Sequence, residues 1–194
     1  MLVKNKMKIA LIIFAALSLV SCRQIVDGMI PKRIMPEVVQ QASKPGNWYA
    51  YMPERSPGFC LRTDTDLEWK DSRLQLGYWQ GLHPHAPHRV LMEARGDVLI
   101  IRRNYVWDGC TVGDTYLRDL LPTLRHDALY HALKEGAQFS RRQVDLAFLR
   151  DQRQSQVGMA WFNYLCVRLF GGLYNRPHEQ KTMLVRPIKN EKTP

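Results

Sequence analysis

Two amphipathic helical segments, joined by a short loop that contains a glycine, constrain the fold of this chain most strongly. The stretch TLRHDALYHALKEGAQFSRRQVDLAFL, residues 123–149, spaces its apolar residues as helices do on both sides of Gly136. Gly136 is expected to end the first helix, and the capping-box pattern SRRQ is expected to begin the second at Ser140. Because so short a loop makes the helices antiparallel neighbours, their apolar sides must share one core.

Each of these helices carries one ionisable residue, His126 or Asp145, in the middle of its apolar side. At about 100° per residue, several apolar side chains lie within about 60° of each of them. They are Leu129, Tyr130 and Leu133 on the first helix and Phe148 and Leu149 on the second. Since burying either charge alone is costly, we expect the two side chains to meet. Such a pair either links two helices structurally or forms a general base with its orienting carboxylate.

Further carboxylates are placed to join this pair. Asp127 follows His126 and points about 100° away from it, off the apolar side. Upstream, the segment WDGCT supplies Asp108 and the conformationally permissive Gly109. Two carboxylates and a backbone carbonyl are the hard oxygen ligands that Ca²⁺ prefers. A cation there could polarise a carbonyl group while the histidine activates water.

The rest of the chain predicts an α+β protein. Residues 46–82 are rich in Trp, Tyr and Gly and indicate short strands and turns, and RVLMEARGDVLIIRRNYVW, residues 89–107, is typical of a β-hairpin that turns at ARGD. A third, very apolar helix, MAWFNYLCVRLFGGLY at 159–174, is expected to pack beneath the other two. We predict an N-terminal β-hairpin with short strands followed by a three-helix core, as a single domain over residues 46–175. Residues 176–194 are expected to form a loosely held basic tail.

Three histidines in HPHAPH, residues 83–88, raise the question of a metal site. Two prolines stiffen the segment, and no carboxylate or cysteine lies beside the histidines. A solvated loop is therefore favoured over a metal site.

The N-terminus resembles a bacterial lipoprotein signal. Lysines at positions 4, 6 and 8 precede the apolar run IALIIFAALSLV, which is too short to span a bilayer comfortably, and the run ends in LVSC. The resemblance implies a signal peptide at 1–21, cleavage before Cys22, and acyl chains on Cys22 that insert into membrane lipid. Residues 22–45 would be a tether, and Arg23 would permit sorting to the outer membrane, facing the periplasm, of a Gram-negative cell envelope. The alternative is an uncleaved anchor helix.

Charge and cysteine content narrow the possible partners. Removing residues 1–21 removes three lysines and no acids, so the formal net charge falls from +10 to +7. A basic protein at a membrane surface is drawn to anionic phospholipid. A nucleic-acid partner is not expected, because the basic residues are scattered and no groove-reading motif is present. Nothing in the sequence fixes the oligomeric state.

Of the remaining cysteines, Cys60 and Cys110 are the favoured disulfide pair, and Cys166 is expected to be a buried thiol.

From Trp107 to Phe148 the chain resembles secreted phospholipase A2, and its bacterial and fungal branch in particular. The shared pattern is a loop aspartate followed by a cysteine, then R-H-D-x-x-Y, a short glycine-containing turn and V-D-x-A-F. With the aromatic helix AWFNYLCVRLFG, the likeness covers roughly residues 105–171. The chain also resembles the domain of unknown function 1353 family of phages and bacteria, through D-G-C, H-D-x-x-Y and S-R-x-x-V-D. That family has no assigned activity.

The phospholipase resemblance implies a role for each matching residue. His126 would be the general base that activates water, Asp145 would orient it, and Tyr130 would brace the carboxylates through its hydroxyl. The implied calcium ligands are Asp108 and Asp127, through carboxylates, and Gly109, through its carbonyl oxygen.

One departure from the family pattern falls at Thr123, where the bacterial enzymes have a cysteine that pairs with the loop cysteine. The spacing from the tryptophan to the loop aspartate is also shorter here. Two functions follow as hypotheses. The chain is either a lipid-anchored, calcium-dependent ester hydrolase or a non-catalytic envelope or prophage-encoded lipoprotein that uses the same scaffold for binding.

Overall fold

The computed structural model describes residues 33–55, 60–109, 115–174 and 183–188. It combines helices with two antiparallel sheets, which confirms the α+β class. The predicted signal peptide, Cys22 and Cys110 lie outside the described residues, as does most of the tail. Within the described part of the chain, no helix has both the length and the hydrophobicity that crossing a membrane requires.

Among the described residues the larger sheet has five strands, and the one nearest the C-terminus lies at an edge of the sheet. The strands are β3 (Leu67–Lys70), β4 (Gly77–His83), β5 (Ala86–Gly96), β6 (Val98–Ile101) and β8 (Leu184–Pro187), in the order β3-β6-β5-β4-β8. The strands β5 and β6 are antiparallel, with Arg95 opposite Val98. The histidine-rich segment, residues 83–88, comprises the last residue of β4, the turn that follows it and the first three residues of β5.

The smaller sheet contains the strand that directly precedes the candidate site. It consists of β1 (Tyr49–Tyr51), β2 (Leu61–Thr63) and β7 (Val106–Trp107), in the order β1-β2-β7. Leu61 pairs with Trp107, and both side chains are fully buried. Burial of Trp107 fixes the start of the segment that carries Asp108 and Gly109.

The described residues contain four α-helices. They are α1 (Pro36–Ala42), α2 (Leu120–Lys134), α3 (Arg141–Gln154) and α4 (Ala160–Tyr174). The capping box at Ser140 is confirmed, because its side chain accepts from the backbone N–H of Gln143 while the Gln143 side chain accepts from the backbone N–H of Ser140. Gly136 follows α2 with φ +100°, a left-handed conformation that a glycine adopts without strain. α3 packs against both α2 and α4.

Residues 33–45 are better ordered than the predicted tether. Pro36 starts α1 at the first helical position, where its missing N–H costs nothing. Val38 is fully buried, and its carbonyl accepts a hydrogen bond of 2.9 Å from the hydroxyl of Tyr49. Ile34 forms an isolated bridge with Thr115. The folded unit therefore includes residues that the sequence analysis assigned to the tether.

The predicted tail also contributes to the fold. Residues 184–187 pair with β4, with Leu82 opposite Leu184, and Met183 is fully buried. Met183 fits because Gly81 has no side chain at the point where the thioether approaches β4. Residues 183–188 are thus part of the larger sheet and its core.

The third helix does not pack beneath the other two. Val167 on α4 is buried, but Trp161 and Leu165 are about half exposed, at 55% and 51%. The all-round apolar sequence of α4 suggested full burial, whereas only one side of the helix finds a partner among the described residues. Cys166 is likewise only partly buried.

Candidate functional site

The antiparallel helices α2 and α3 bring His126 and Asp145 together. Nε2 of His126 lies 3.4 Å from Oδ1 of Asp145. The His126 residue is 6% exposed and Asp145 is fully buried. The pair forms because each side chain occupies the middle of an apolar helix side, so each supplies the polar partner that the other needs.

Asp145 is held by more than the histidine. The hydroxyl of Tyr130 donates to Oδ1 at 2.5 Å, and Nη1 of Arg168 donates to Oδ2 at 2.8 Å. Nε of Arg141 lies 3.9 Å from the same Oδ2. Burial opposes ionisation of Asp145, but the hydrogen bonds from His126, Tyr130 and Arg168 outweigh it and hold its pKa below the ordinary value. Asp145 is therefore a carboxylate at neutral pH despite its complete burial.

The imidazole of His126 lies between two carboxylates. Nε2 faces Asp145, and Nδ1 lies 3.7 Å from Oδ1 of Asp127. The ring also contacts Tyr130 and Phe148, with centroid separations of 4.2 and 4.4 Å. Burial disfavours the charged ring, but the carboxylates of Asp127 and Asp145 outweigh it and raise the pKa of His126. With the proton on Nε2, the lone pair of Nδ1 points towards the Asp127 side.

Asp108 and Asp127 form a pair of carboxyl groups beside the histidine. Asp108 is close enough to Asp127 to influence its ionisation. Burial, together with the negative charge of Asp108, raises the pKa of Asp127 to about 7, while His126 opposes the rise. Oδ2 of Asp127 is buried and has no hydrogen-bond partner among the described residues. Two adjacent carboxyls with an unsatisfied oxygen offer a suitable place for a cation.

Gly109 is required by the backbone at this point. Its φ is +77°, and a Cβ atom there would lie 2.6 Å from Oγ1 of Thr115. Any other residue would be strained and would also clash with Thr115. The close approach fixes the backbone directly after Asp108.

Tyr105 and His131 adjoin the carboxyl pair. The Tyr105 hydroxyl lies 3.4 Å from Nδ1 of His131. Burial, reinforced by the charges of Asp127 and Asp108, raises the pKa of Tyr105 well above its ordinary value, so its hydroxyl stays protonated. Burial lowers the pKa of His131. Tyr105 and His131 are therefore uncharged hydrogen-bonding groups on this side of the site.

Thr123, at the position where the bacterial phospholipases have a cysteine, makes its hydrogen bonds within its own helix. Thr123 is 3% exposed, and its hydroxyl donates to the carbonyl of Asp119 at 2.8 Å. The Thr123 hydroxyl therefore makes its hydrogen bond within the first turns of α2. Cys110, the loop cysteine, lies outside the described residues, so the expected pairing with Cys60 stays a prediction.

Sequence reasoning missed Arg168 and Arg141. Arg168 is the only charged residue in the sequence of α4, and a lone charge in an otherwise apolar helix is the signal that could have identified it. The backbone carbonyl of Arg168 also accepts a hydrogen bond of 2.9 Å from Nη2 of Arg141. α4 thus supplies part of the environment of Asp145.

An open surface cavity of about 450 Å³ lies elsewhere, between α1 and β1. Its lining residues are Val39, Ala42, Ser43, Ala50, Tyr51 and Pro53. None of them belongs to the cluster around His126, so the cavity is not part of the candidate site.

Comparisons of the chain with protein-family models, with curated proteins and with solved structures found no match.

Proposed function

We propose that this protein is a calcium-dependent ester hydrolase, related in its site to phospholipase A2, that acts on phospholipid at a cell envelope. The observation that carries the proposal is the placement of His126 between the orienting carboxylate of Asp145 and the Asp108–Asp127 pair. In this proposal α2, α3 and α4 correspond to the three-helix phospholipase-like core, and the strands before them are an addition to it. The lipid anchor at Cys22 would hold the site near its substrate.

The proposed reaction uses His126 as general base. Nδ1 takes a proton from a water molecule as the water oxygen adds to the ester carbonyl carbon. The ester bond to the alcohol then breaks, and the imidazolium returns the proton to the departing alkoxide, which gives a fatty acid and a lysophospholipid. Asp145 keeps the ring in position through Nε2 and stabilises its positive charge, while Tyr130 and Arg168 fix Asp145.

The donor set suits a calcium ion. Asp108 and Asp127 provide carboxylate oxygens, and the carbonyl of Gly109 and water would complete the coordination. No group of three or more His, Cys, Asp or Glu side chains that could hold a metal occurs among the described residues, so the site depends on such backbone and water oxygens. A bound calcium ion would supply electrostatic stabilisation of the negative charge that develops on the ester oxygen.

Burial of the site supports a second candidate, a non-catalytic lipoprotein in which the same cluster holds the helices together. Only 6% of the surface of His126 is exposed, which restricts the access of water and an ester to Nδ1. In this case the Arg168–Asp145–His126 network would stabilise the scaffold, and binding would take place elsewhere.

Fatty-acid release from phospholipid vesicles separates the two candidates. The wild-type chain should release fatty acid when calcium is present and stop when a chelator is added. His126→Ala should abolish release, whereas His88→Ala, at an exposed position on β5, should leave it unchanged. Release that persists in the His126 variant would rule out the proposed mechanism. Absence of release by the wild-type chain would favour the non-catalytic protein.

A further inference from the structure

The outward side of α4 is an unusually apolar surface. Five large apolar residues at and before the helix are between 49% and 60% exposed. They are Met159, Trp161, Phe162, Leu165 and Leu169, and they are called here the α4 outer face. Apart from these, only three other large apolar side chains are exposed in the described part of the chain. Such a cluster marks an interaction surface more often than chance exposure does.

The α4 outer face forms one continuous stripe. At about 100° per residue, Trp161, Phe162, Leu165 and Leu169 fall within an arc of about 100° on the helix. The opposite side of the helix packs inwards through Ala160 and Val167. One side of α4 is therefore buried and the other exposed, although nearly all of its residues are apolar. An exposed apolar helix side of this kind is expected to bind a further surface.

The charges around this face are positive. α3 and α4 together contain five arginines and two aspartates. Both aspartates are buried, Asp145 completely and Asp151 with 7% exposure, and each is paired with an arginine. Arg153 is exposed, and its guanidinium lies 5.0 Å from the ring centroid of Trp161. The exposed charges of the two helices are thus cationic, with one of them directly beside the apolar stripe.

The first described residues lie at the end of the helical unit where this face begins. Arg153 contacts Trp161, and Arg125 of α2 contacts Asp151, so the first turns of α2 and α4 lie beside the last turn of α3. Ile34, next to the first described residue, bridges to Thr115 just before α2. The exposed Leu117 and Leu121 lie at this same end. Their exposed fractions are 42% and 38%.

We propose that the α4 outer face docks onto an anionic lipid surface. Aromatic and aliphatic side chains bordered by arginine are the composition that binds the boundary between headgroups and acyl chains. A second copy of the chain fits less well, because a symmetric contact through α4 would bring the exposed arginines of both copies together. Docking would hold α3 and α4 against the bilayer. The proposal does not depend on hydrolase activity.

Quenching of Trp161 by brominated lipids tests the proposal. The full chain is mixed with vesicles of phosphatidylglycerol and phosphatidylethanolamine, with and without bromine on the acyl chains, in the presence of a chelator that prevents calcium-dependent hydrolysis. The chain has five tryptophans, so the difference between wild type and Trp161→Phe isolates the signal of Trp161. We expect brominated vesicles to quench the wild-type chain more than the variant. An N-terminal anchor alone would not place Trp161 among the acyl chains.

Matched variants define the outcomes. Leu165→Ser combined with Leu169→Ser should remove the quenching of Trp161, while Tyr78→Ser, at an exposed apolar position on β4, should retain it. Vesicles of phosphatidylcholine should quench less, because they lack the anionic headgroups that attract arginine. Equal quenching of wild type and Trp161→Phe would overturn the proposal. So would self-association of the chain that the double serine variant abolishes while Trp161 remains unquenched, because a second copy would then cover the face.

Discussion

Gly171 on α4 gives the hydroxyl of Tyr130 the space it needs to reach Asp145. A Cβ atom at position 171 would lie 2.5 Å from the Tyr130 oxygen and 2.9 Å from its Cε1. Gly171→Ala should therefore displace the tyrosine by about 1 Å to restore an ordinary van der Waals separation. The hydrogen bond from Tyr130 to Oδ1 of Asp145, now 2.5 Å, would be strained or broken.

The size of the effect follows from two opposing contributions. Weakening a hydrogen bond to a buried carboxylate costs about 1.5–3 kcal/mol. Alanine in place of glycine inside a helix stabilises the folded protein by about 1 kcal/mol. Gly171→Ala should therefore lower the free energy of unfolding by about 0.5–2 kcal/mol. Most glycine-to-alanine changes within helices have the opposite sign, so the direction alone is informative.

Urea unfolding followed by far-ultraviolet circular dichroism measures this change. Gly158→Ala is the matched control, because no atom lies within 4 Å of its added Cβ and it should not destabilise the protein. In a Tyr130→Phe background the cost of Gly171→Ala should shrink, since the hydroxyl is the closest atom and its hydrogen bond is already absent. A Gly171→Ala protein as stable as wild type, or more stable, would refute the packing of Tyr130 between α4 and Asp145.

Three further changes test other parts of the structure. Asp145→Asn should lower the pKa of His126, because that carboxylate helps to raise it, and it should remove the partner of the Arg168 guanidinium. Nuclear magnetic resonance titration of the His126 imidazole measures the shift. An unchanged pKa would contradict the pairing of His126 with Asp145. Asp71→Asn should cost about 1–3 kcal/mol at pH 7, because arginines hold the pKa of this largely buried carboxyl below its ordinary value. That difference should persist above about pH 4 and disappear as the pH falls through the lowered pKa, which unfolding measured across pH would detect. Gly81→Ala should cost about 1–3 kcal/mol by displacing the buried Met183, and Met183→Ala should relieve part of that cost; a neutral Gly81→Ala would contradict the docking of β8.

Local patterns predicted the helical hairpin well because its signals are short-range. The capping box at Ser140 and the left-handed glycine at position 136 depend on neighbours within a few residues. The meeting of His126 and Asp145 could also be expected, since a short loop and two apolar sides leave few other arrangements. These features are determined within about thirty residues of chain.

The elements that sequence reasoning missed depend on distant partners. The strand at 184–187 is short and basic, and it is ordered because β4 leaves space at Gly81 for Met183. The role of Arg168 depends on α4 lying against α3, which no local pattern specifies. The exposure of the α4 outer face likewise follows from the number of neighbours around the helix, whereas its hydrophobicity alone suggested a buried position.

Calorimetric titration of calcium into the full chain tests the central claim most directly, because the proposed hydrolase requires a cation at the Asp108–Asp127 pair. Wild type should bind calcium saturably at or below millimolar concentration, and Asp127→Asn should remove that binding. Asp97→Asn, a partly exposed acid on the turn between β5 and β6, should leave it intact. Absence of binding at millimolar calcium, or binding that survives Asp127→Asn, would contradict the assignment of this pair as the calcium site.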